Sequence, residues 1–211
     1  MNGINSMIRI FLALFLISSC GNLPISYIQN FSSVNSAIFG FPDMEITEEE
    51  YDEYEYSFIK VRFGRGPVSI LILAYVEDNV YEWSGLDDVS IYTLNGRVIK
   101  TSGLQSNIEI ISPTVKSPSA AIDYYESINL YNPDLYSVTL NSSVASNPDT
   151  FTKFGTRVNA LRVREDVEVE LINWKRSNYY YYNQDSKFVE KTKQHIHPRL
   201  PVIHIEFYYK F

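Results

Sequence analysis

The chain contains one cysteine, Cys20, and its position predicts a covalent modification of its thiol. Arg9 precedes an unbroken apolar run over 10–17, and two small serines separate that run from the cysteine. A basic start, a short apolar centre and small residues before the cleavage point are typical of a secretory signal peptide. A cysteine directly after the cleavage point is the residue that receives lipid. The sequence therefore predicts a lipoprotein signal peptide over 1–19 and lipid attachment at Cys20.

Lipid on Cys20 predicts a protein that is anchored to a membrane and does not span it. The apolar run over 10–17 is about half of the roughly 20 residues that a transmembrane helix needs. The alternative interpretation is a short buried helix with an ordinary core cysteine. Because the chain has a single cysteine, no disulfide can form within it, and packing alone must stabilise the fold.

The three histidines are the candidates for metal ligands. On a strand, the rings of His195 and His197 would face the same way, and His204 could supply a third nitrogen. No carboxylate lies between His195 and His204 in the sequence, and Pro198 ends the element. We therefore interpret these histidines as polar hairpin residues and predict neither a metal site nor a cofactor.

Carboxylates and nucleophiles give only weak signals for catalysis. Asp87 beside Asp88, or Glu48 near Glu50, could suggest a glycoside hydrolase, but acid–base pairs are normally brought together from distant positions. The chain has no Gly-x-Ser-x-Gly elbow, no phosphate-binding loop and no Cys-His pair. We therefore predict a protein that is not an enzyme.

Aromatic side chains are the remaining candidates for recognition. Their flat rings could stack on sugars, and tyrosine also suits protein interfaces because it combines apolar area with a polar tip. On a strand, half of the tyrosines over 179–182 must face outward. Two interpretations stay open: core and ordinary strand surface, or contacts to a ligand, among which a partner protein is favoured over a polysaccharide. The predicted contact residues are Trp83, Arg97, Trp174, Tyr180 and Tyr182.

Turn signals divide the chain from residue 58 onward into short strands. Asn95-Gly96 is the dipeptide that a two-residue hairpin turn favours, and 64–67 and Asp185-Ser186 are further turns. The run over 68–77 is nearly continuously apolar, which predicts a strand that is buried on both faces. Many strands with little helical periodicity predict an all-β domain, an antiparallel barrel or a sandwich.

Other parts of the chain are less regular. Prolines, asparagines and serines break the stretch over 113–148, so only short strands are expected there.

Apolar residues spaced three and four apart predict a short helix within a tether over 20–44. The β domain is then expected over 45–211. Its acidic, tyrosine-rich start over 45–56 is either a cation or partner site or, as we favour, a solvated face. Thr47 followed by Glu50 matches a capping box and predicts a helix start.

The formal net charge of −7 argues against nucleic acid as a partner, because a polyanion is bound through basic surfaces.

Two segments resemble a known family. Residues 66–104 join a buried strand, a tryptophan, an acidic step and an Asn-Gly-Arg turn that ends in Lys-Thr-Ser-Gly-Leu. This pattern resembles the YjbF/GfcB family of group 4 capsule lipoproteins. A second, weaker match runs from the tyrosine-rich strand through an acidic turn to a final element over 192–198. It has Thr192 in place of a serine and Lys187 where a turn glycine is usual. The residues at the family's places in the first segment are Trp83, Asp87, Gly96, Arg97, Lys100, Thr101, Gly103 and Leu104.

The resemblance implies a non-enzymatic accessory or scaffold lipoprotein of capsule or exopolysaccharide secretion. Such proteins work beside other export proteins, which are therefore the expected partners together with membrane lipid. Gly21 and Asn22 follow the lipidated residue, and neither is the aspartate that retains enteric lipoproteins at the inner membrane. This implies an anchor at the periplasmic face of the outer membrane. The alternative function is an envelope protein that binds or modifies the polysaccharide.

Overall fold

Twelve antiparallel strands of the computed structural model form a closed barrel, which confirms the predicted antiparallel all-β fold. The structure describes residues 41–86, 88–113 and 123–211. The predicted signal peptide, Cys20 and the predicted helix of the tether lie outside these described residues. In the described part, the elements are α1 (Glu48–Glu53), β1 (Phe58–Phe63), β2 (Val68–Glu77), β3 (Val80–Ser84), β4 (Ser90–Leu94), β5 (Arg97–Ser102), β6 (Asn107–Ile110), β7 (Asp123–Tyr131), β8 (Leu135–Lys153), β9 (Thr156–Val169), a 3-10 turn (Glu170–Ile172), β10 (Trp174–Asn183), β11 (Val189–Gln194) and β12 (Ile203–Tyr208).

Each strand pairs with its neighbours in sequence, and β1 pairs with both β2 and β12 to close the barrel. Closure removes the exposed strand edges that would otherwise pair with other chains. Because side chains alternate across a strand, every second residue points inward and packs into one core. The largest fully buried apolar side chains include Trp83, Ile91, Ile128, Ile205 and Phe207. No helix of the described part is long and apolar enough to cross a bilayer.

Helix α1 packs on the outside of the barrel, and it begins at the predicted capping box. The Glu50 backbone N–H donates to Thr47 Oγ1 at 3.2 Å, and the Thr47 N–H donates to Glu50 Oε2 at 2.9 Å. Ile46 joins Phe58 and Tyr208 in a small apolar cluster under the helix. The rings of Phe58 and Tyr208 are stacked, with their centres 4.7 Å apart. This part of the outer face of β1 and β12 is therefore buried as well.

The prediction that 68–77 forms a strand buried on both faces is wrong in its burial. The segment is β2, but Leu71 is its only buried residue, and Tyr75 and Val76 are 58% and 46% exposed. In a barrel wall, one face of each strand meets the core and the other meets solvent. Ile70 and Ile72 are partly buried against the apolar cluster under α1, so only part of the outer face of β2 is covered.

The prediction of short, broken strands over 113–148 is also wrong, since this region holds β7 and most of the 19-residue strand β8. Pro148 lies inside β8 and pairs with Leu161. Beyond Ser143, β9 is the only partner that β8 has among the described residues. Proline, which has no N–H to donate, is tolerated in a strand segment that pairs on one side.

A side chain at Gly96, in the β4–β5 turn, should lower the free energy of unfolding strongly. Both turn residues have positive φ, 49° at Asn95 and 76° at Gly96, as the predicted two-residue hairpin turn requires. A Cβ at Gly96 would lie 2.2 Å from Cγ1 of the buried Val189. Gly96→Ala should therefore cost about 1–2 kcal/mol for the left-handed backbone and about 1–3 kcal/mol more for the overlap.

Gly155 supplies the control for this prediction. It has a φ of 70°, but a Cβ there would meet nothing within 4 Å. Gly155→Ala should therefore cost only the backbone part. Gly96→Ala should cost less in a Val189→Ala background than in the wild-type protein. Urea unfolding of the three single variants and of the Gly96→Ala, Val189→Ala double variant measures these differences. Equal losses of unfolding free energy in Gly96→Ala and Gly155→Ala would show that the contact with Val189 does not matter.

Candidate functional site

A group of charged side chains inside the barrel, here called the buried ion cluster, consists of Arg97, Glu126 and Glu165. Arg97 is the first residue of β5, and the β4–β5 hairpin places its side chain in the interior. Its Nη2 lies 2.7 Å from Glu126 Oε2 on β7, and its Nε lies 3.2 Å from Glu165 Oε1 on β9. The exposed fractions of the two glutamate side chains are 1% and 3%. One guanidinium therefore links three strands.

Neutral donors complete the surroundings of Glu165. The Tyr180 hydroxyl donates to Glu165 Oε2 at 2.6 Å, and Asn178 Nδ2 donates to the same oxygen at 3.2 Å. The Tyr124 hydroxyl donates to Glu165 Oε1, and the guanidinium of Arg97 lies 5.6 Å from the centre of the Tyr124 ring. A buried carboxylate is tolerated only when charges and hydrogen bonds replace its water, and this one has both.

Arg97 keeps its charge near neutral pH. Burial lowers the pKa of Arg97, but the carboxylates of Glu165 and Glu126 raise it by more, so the guanidinium stays protonated. Burial, followed by the charge of Glu165, raises the pKa of Tyr180 and Tyr182 above the usual value. The tyrosines are therefore lasting hydrogen-bond donors. A protonated guanidinium held by two carboxylates and tyrosine donors suits a structural cross-link between strands.

Gln194 on β11 connects the cluster to the β4–β5 turn. Its Nε2 donates to the Gly96 carbonyl at 2.8 Å and to Thr192 Oγ1 at 2.9 Å, while its Oε1 accepts from the Val98 N–H at 2.9 Å. Strands β5 and β11 lie on opposite sides of the barrel, so these hydrogen bonds cross its interior. The two segments that carry the family resemblance thus meet in space.

The space left beside the cluster is small. A cavity of about 20 Å³ is lined by residues that include Arg97, Trp174, Tyr180 and Gln194. That volume accommodates about one water molecule, since roughly 10–15 Å³ is the minimum for one. The cavity is too small for a sugar residue. Side chains therefore fill this part of the barrel.

The five predicted contact residues lie in the barrel interior or at its margin. Trp83 is 0% exposed, and its Nε1 donates to Thr93 Oγ1 at 2.8 Å. Arg97, Trp174 and Tyr180 line the same small cavity. The half-buried Tyr182 donates its hydroxyl hydrogen to the Asn95 carbonyl at 3.1 Å. These placements give the side chains packing and cross-linking roles, and their contact with a sugar or partner stays a prediction.

Sequence reasoning missed Glu126, Glu165 and Gln194. The glutamates are isolated acids on alternating strands, and nothing local marks them as inward-facing. Gln194 lies within the weaker family-like segment, and this was the one signal that could have identified it.

The three histidines are not brought together at one metal site. His197 is buried, and its Nδ1 accepts from the Arg199 N–H at 3.1 Å. His204 points to the outer face of β12, opposite Arg62 and Lys193. Among the described residues, no group of three or more His, Cys, Asp or Glu side chains could hold a metal ion.

Comparisons with known proteins find related sequences. The family model described as group 4 capsule polysaccharide lipoprotein matches residues 31–208. The "Uncharacterized lipoprotein GfcB" of Escherichia coli K12 is 26% identical over 106 residues, which cover 50% of this chain and 48% of that protein. The "Uncharacterized lipoprotein YjbF" of the same organism is 27% identical over 70 residues, 33% of each chain. The matched regions therefore span about half or less of these relatives.

One solved structure has the same fold. The crystal structure of the hypothetical lipoprotein YmcC from Escherichia coli K12 superposes with a TM-score of 0.69. The superposition covers 90% of this chain and 98% of that one, at 17% sequence identity.

Proposed function

The chain belongs to the YjbF family of group 4 capsule polysaccharide lipoproteins, and from this premise we propose that it is a lipid-anchored, non-enzymatic accessory protein of capsule or exopolysaccharide secretion. It acts at the periplasmic face of the outer membrane, held there by lipid on Cys20. The observation that carries the proposal is the small space beside the buried ion cluster, a cavity of about 20 Å³. In the part of the chain that the structure describes, the space beside these buried charges is too small for a sugar residue, which favours a role for the outer surface of the barrel.

The lipid anchor would favour assembly with other proteins at the membrane. Each methylene of an attached acyl chain that enters the bilayer contributes about 0.8 kcal/mol, so two or three chains give stable retention where one does not. A protein that is confined to a membrane plane meets other anchored export components at a raised effective concentration. Binding that is weak in solution then becomes sufficient for assembly, which is what a scaffold requires.

Copurification tests this proposal. The tagged full-length protein is isolated from cross-linked envelopes of cells that make the polymer, and the captured proteins are identified by mass spectrometry. We expect the polysaccharide exporter or other proteins of the same secretion system to be enriched. An unrelated outer-membrane lipoprotein with the same tag, made at the same level, is the control. Equal capture of export proteins by both baits would contradict the scaffold role.

The second candidate function is binding of the polysaccharide itself. A groove on the barrel exterior that combines basic side chains with tyrosines favours it. Saturable binding of polymer by the purified protein, without any protein partner, would support this candidate over the scaffold.

A further inference from the structure

A groove of about 400 Å³ runs over the outer face of the barrel across β8, β9, β10 and β11. Tyr179 and Tyr181 lie in it because they alternate with Tyr180 and Tyr182, which belong to the interior. We call it the outer groove, and its lining residues are Asn147, Arg162, Arg164, Tyr179, Tyr181 and Lys193.

The strand register arranges these side chains in two rows with the same chemistry. In one row, Tyr179 lies between Arg164 on β9 and Lys193 on β11. In the other, Tyr181 lies between Arg162 and Lys191, which lies outside the lining of the groove with its Nζ 3.9 Å from Glu206 Oε1 on β12. The rows are two residues apart, about 7 Å along the strand, and neighbouring strands are about 4.8 Å apart. An Arg-Tyr-Lys unit is therefore repeated at a regular interval on the surface.

The first row continues beyond the groove. Lys193 is paired in register with His204 on β12, and His204 with Arg62 on β1. From Arg164 to Arg62 the row crosses five strands, which is about 19 Å. Burial is the largest cause that lowers the pKa of His204. The charges of Lys193, Lys191 and Arg62 lower it further, and the charge of Asp43 raises it.

The basic side chains of the outer groove remain available to a ligand. Lys193 is exposed and forms no ion pair with any residue in the described ranges. Arg162 and Arg164 pair with Asp149 at 3.0 Å and Asp166 at 2.9 Å, but both arginines are about half exposed. Solvent-exposed pairs of this kind contribute only about 0–1 kcal/mol, so a competing anion can displace them.

We propose that the outer groove binds a segment of acidic polysaccharide, with its anionic groups on the basic side chains and its sugar rings on Tyr179 and Tyr181. A repeated unit of cation, aromatic ring and cation fits a ligand that repeats its own charge and apolar ring face. An acidic protein segment would also be attracted by the cations, but it needs no repeat and no pair of flat rings. The inference deepens the polysaccharide-binding candidate, and it rests on that part of the proposed function.

Binding of defined oligosaccharides to the full-length protein in detergent tests the proposal. The probes are alginate oligomers, neutral dextran oligomers of the same length, and polyglutamate of matched charge. We expect saturable, salt-sensitive binding of alginate, little binding of dextran, and weaker binding of polyglutamate. Polyglutamate binding as tight as alginate binding would overturn the proposal in favour of an acidic protein partner.

Matched variants locate the site. Lys193→Gln should weaken alginate binding about tenfold, corresponding to loss of one charge-assisted contact of about 1.4 kcal/mol. Lys175→Gln removes the same charge from an exposed residue of β10 outside the groove and should change the affinity less than twofold. Tyr179→Ala should also weaken alginate binding, whereas an electrostatic attraction alone would leave it unchanged. Equal affinities for Lys193→Gln and Lys175→Gln would overturn the assignment.

The oligosaccharide-binding experiment can fail independently of the copurification experiment that tests the scaffold proposal. Oligosaccharide binding is measured without any export protein, and the copurification experiment can be repeated with Lys193→Gln. If Lys193→Gln loses alginate binding but still captures export proteins, the groove and the scaffold surface are distinct.

Discussion

Replacing Arg97 with methionine will destabilise the folded protein by about 3–5 kcal/mol, the range expected when one partner is removed from a buried ion pair. The substitution keeps most of the side-chain volume, so the effect is electrostatic. Glu126 and Glu165 would remain in the interior with exposed fractions of 1% and 3% and without their cation. Tyr180 and Asn178 still donate to Glu165, so hydrogen bonds offset part of the loss at that carboxylate.

Urea unfolding at pH 7 measures this loss. The matched control is Arg164→Met, which removes an arginine of the same barrel whose side chain is 52% exposed and pairs with Asp166 at the surface. The control should lower the unfolding free energy by no more than about 1 kcal/mol. Replacing both glutamates with glutamine in the Arg97→Met background should restore part of the lost stability. Similar losses for Arg97→Met and Arg164→Met would show that the buried ion cluster does not hold the strands together.

The second large effect is expected at Cys20, which lies outside the described residues. Cys20→Ser removes the thiol that receives lipid, and the protein should then carry no labelled palmitate. Without acyl chains it loses about 0.8 kcal/mol for every methylene that would enter the bilayer, which amounts to nearly all of its membrane affinity. We expect the variant in the soluble fraction, or retained as an unprocessed precursor with its signal peptide.

Metabolic labelling with palmitate and separation of membranes from soluble extract provide the readout. Ser19→Ala is the control, since it keeps a small residue before the thiol and should be labelled and retained like the wild-type protein. Label on Cys20→Ser, or its unchanged recovery as a processed protein with the outer membrane, would contradict lipid attachment at this residue.

Features with local causes were predictable from the sequence. The Asn95-Gly96 turn follows from two residues that accept positive φ, and the helix start follows from the reciprocal hydrogen bonds of Thr47 and Glu50. The antiparallel β class follows from many turn signals between short apolar runs. None of these inferences requires knowledge of which distant residues meet.

Features that depend on distant residues were not predictable. Arg97 meets Glu126 and Glu165 only because β5, β7 and β9 are brought together by closure of the barrel. All four residues over 179–182 are tyrosines, so the sequence alone could not show which two face inward and which two face solvent. The burial of β2 was predicted wrongly for the same reason, because the sequence does not distinguish apolar residues on an exposed strand face from those on a covered face.

The amount of polymer at the cell surface tests the proposed function most directly. In cells whose only copy of the protein is Cys20→Ser, produced at the wild-type level, we expect surface polysaccharide to fall several-fold while synthesis inside the cell continues. The Ser19→Ala strain should export normally. Wild-type amounts of surface polymer in the Cys20→Ser strain, with the protein shown to be detached from the membrane, would contradict an anchored role in secretion.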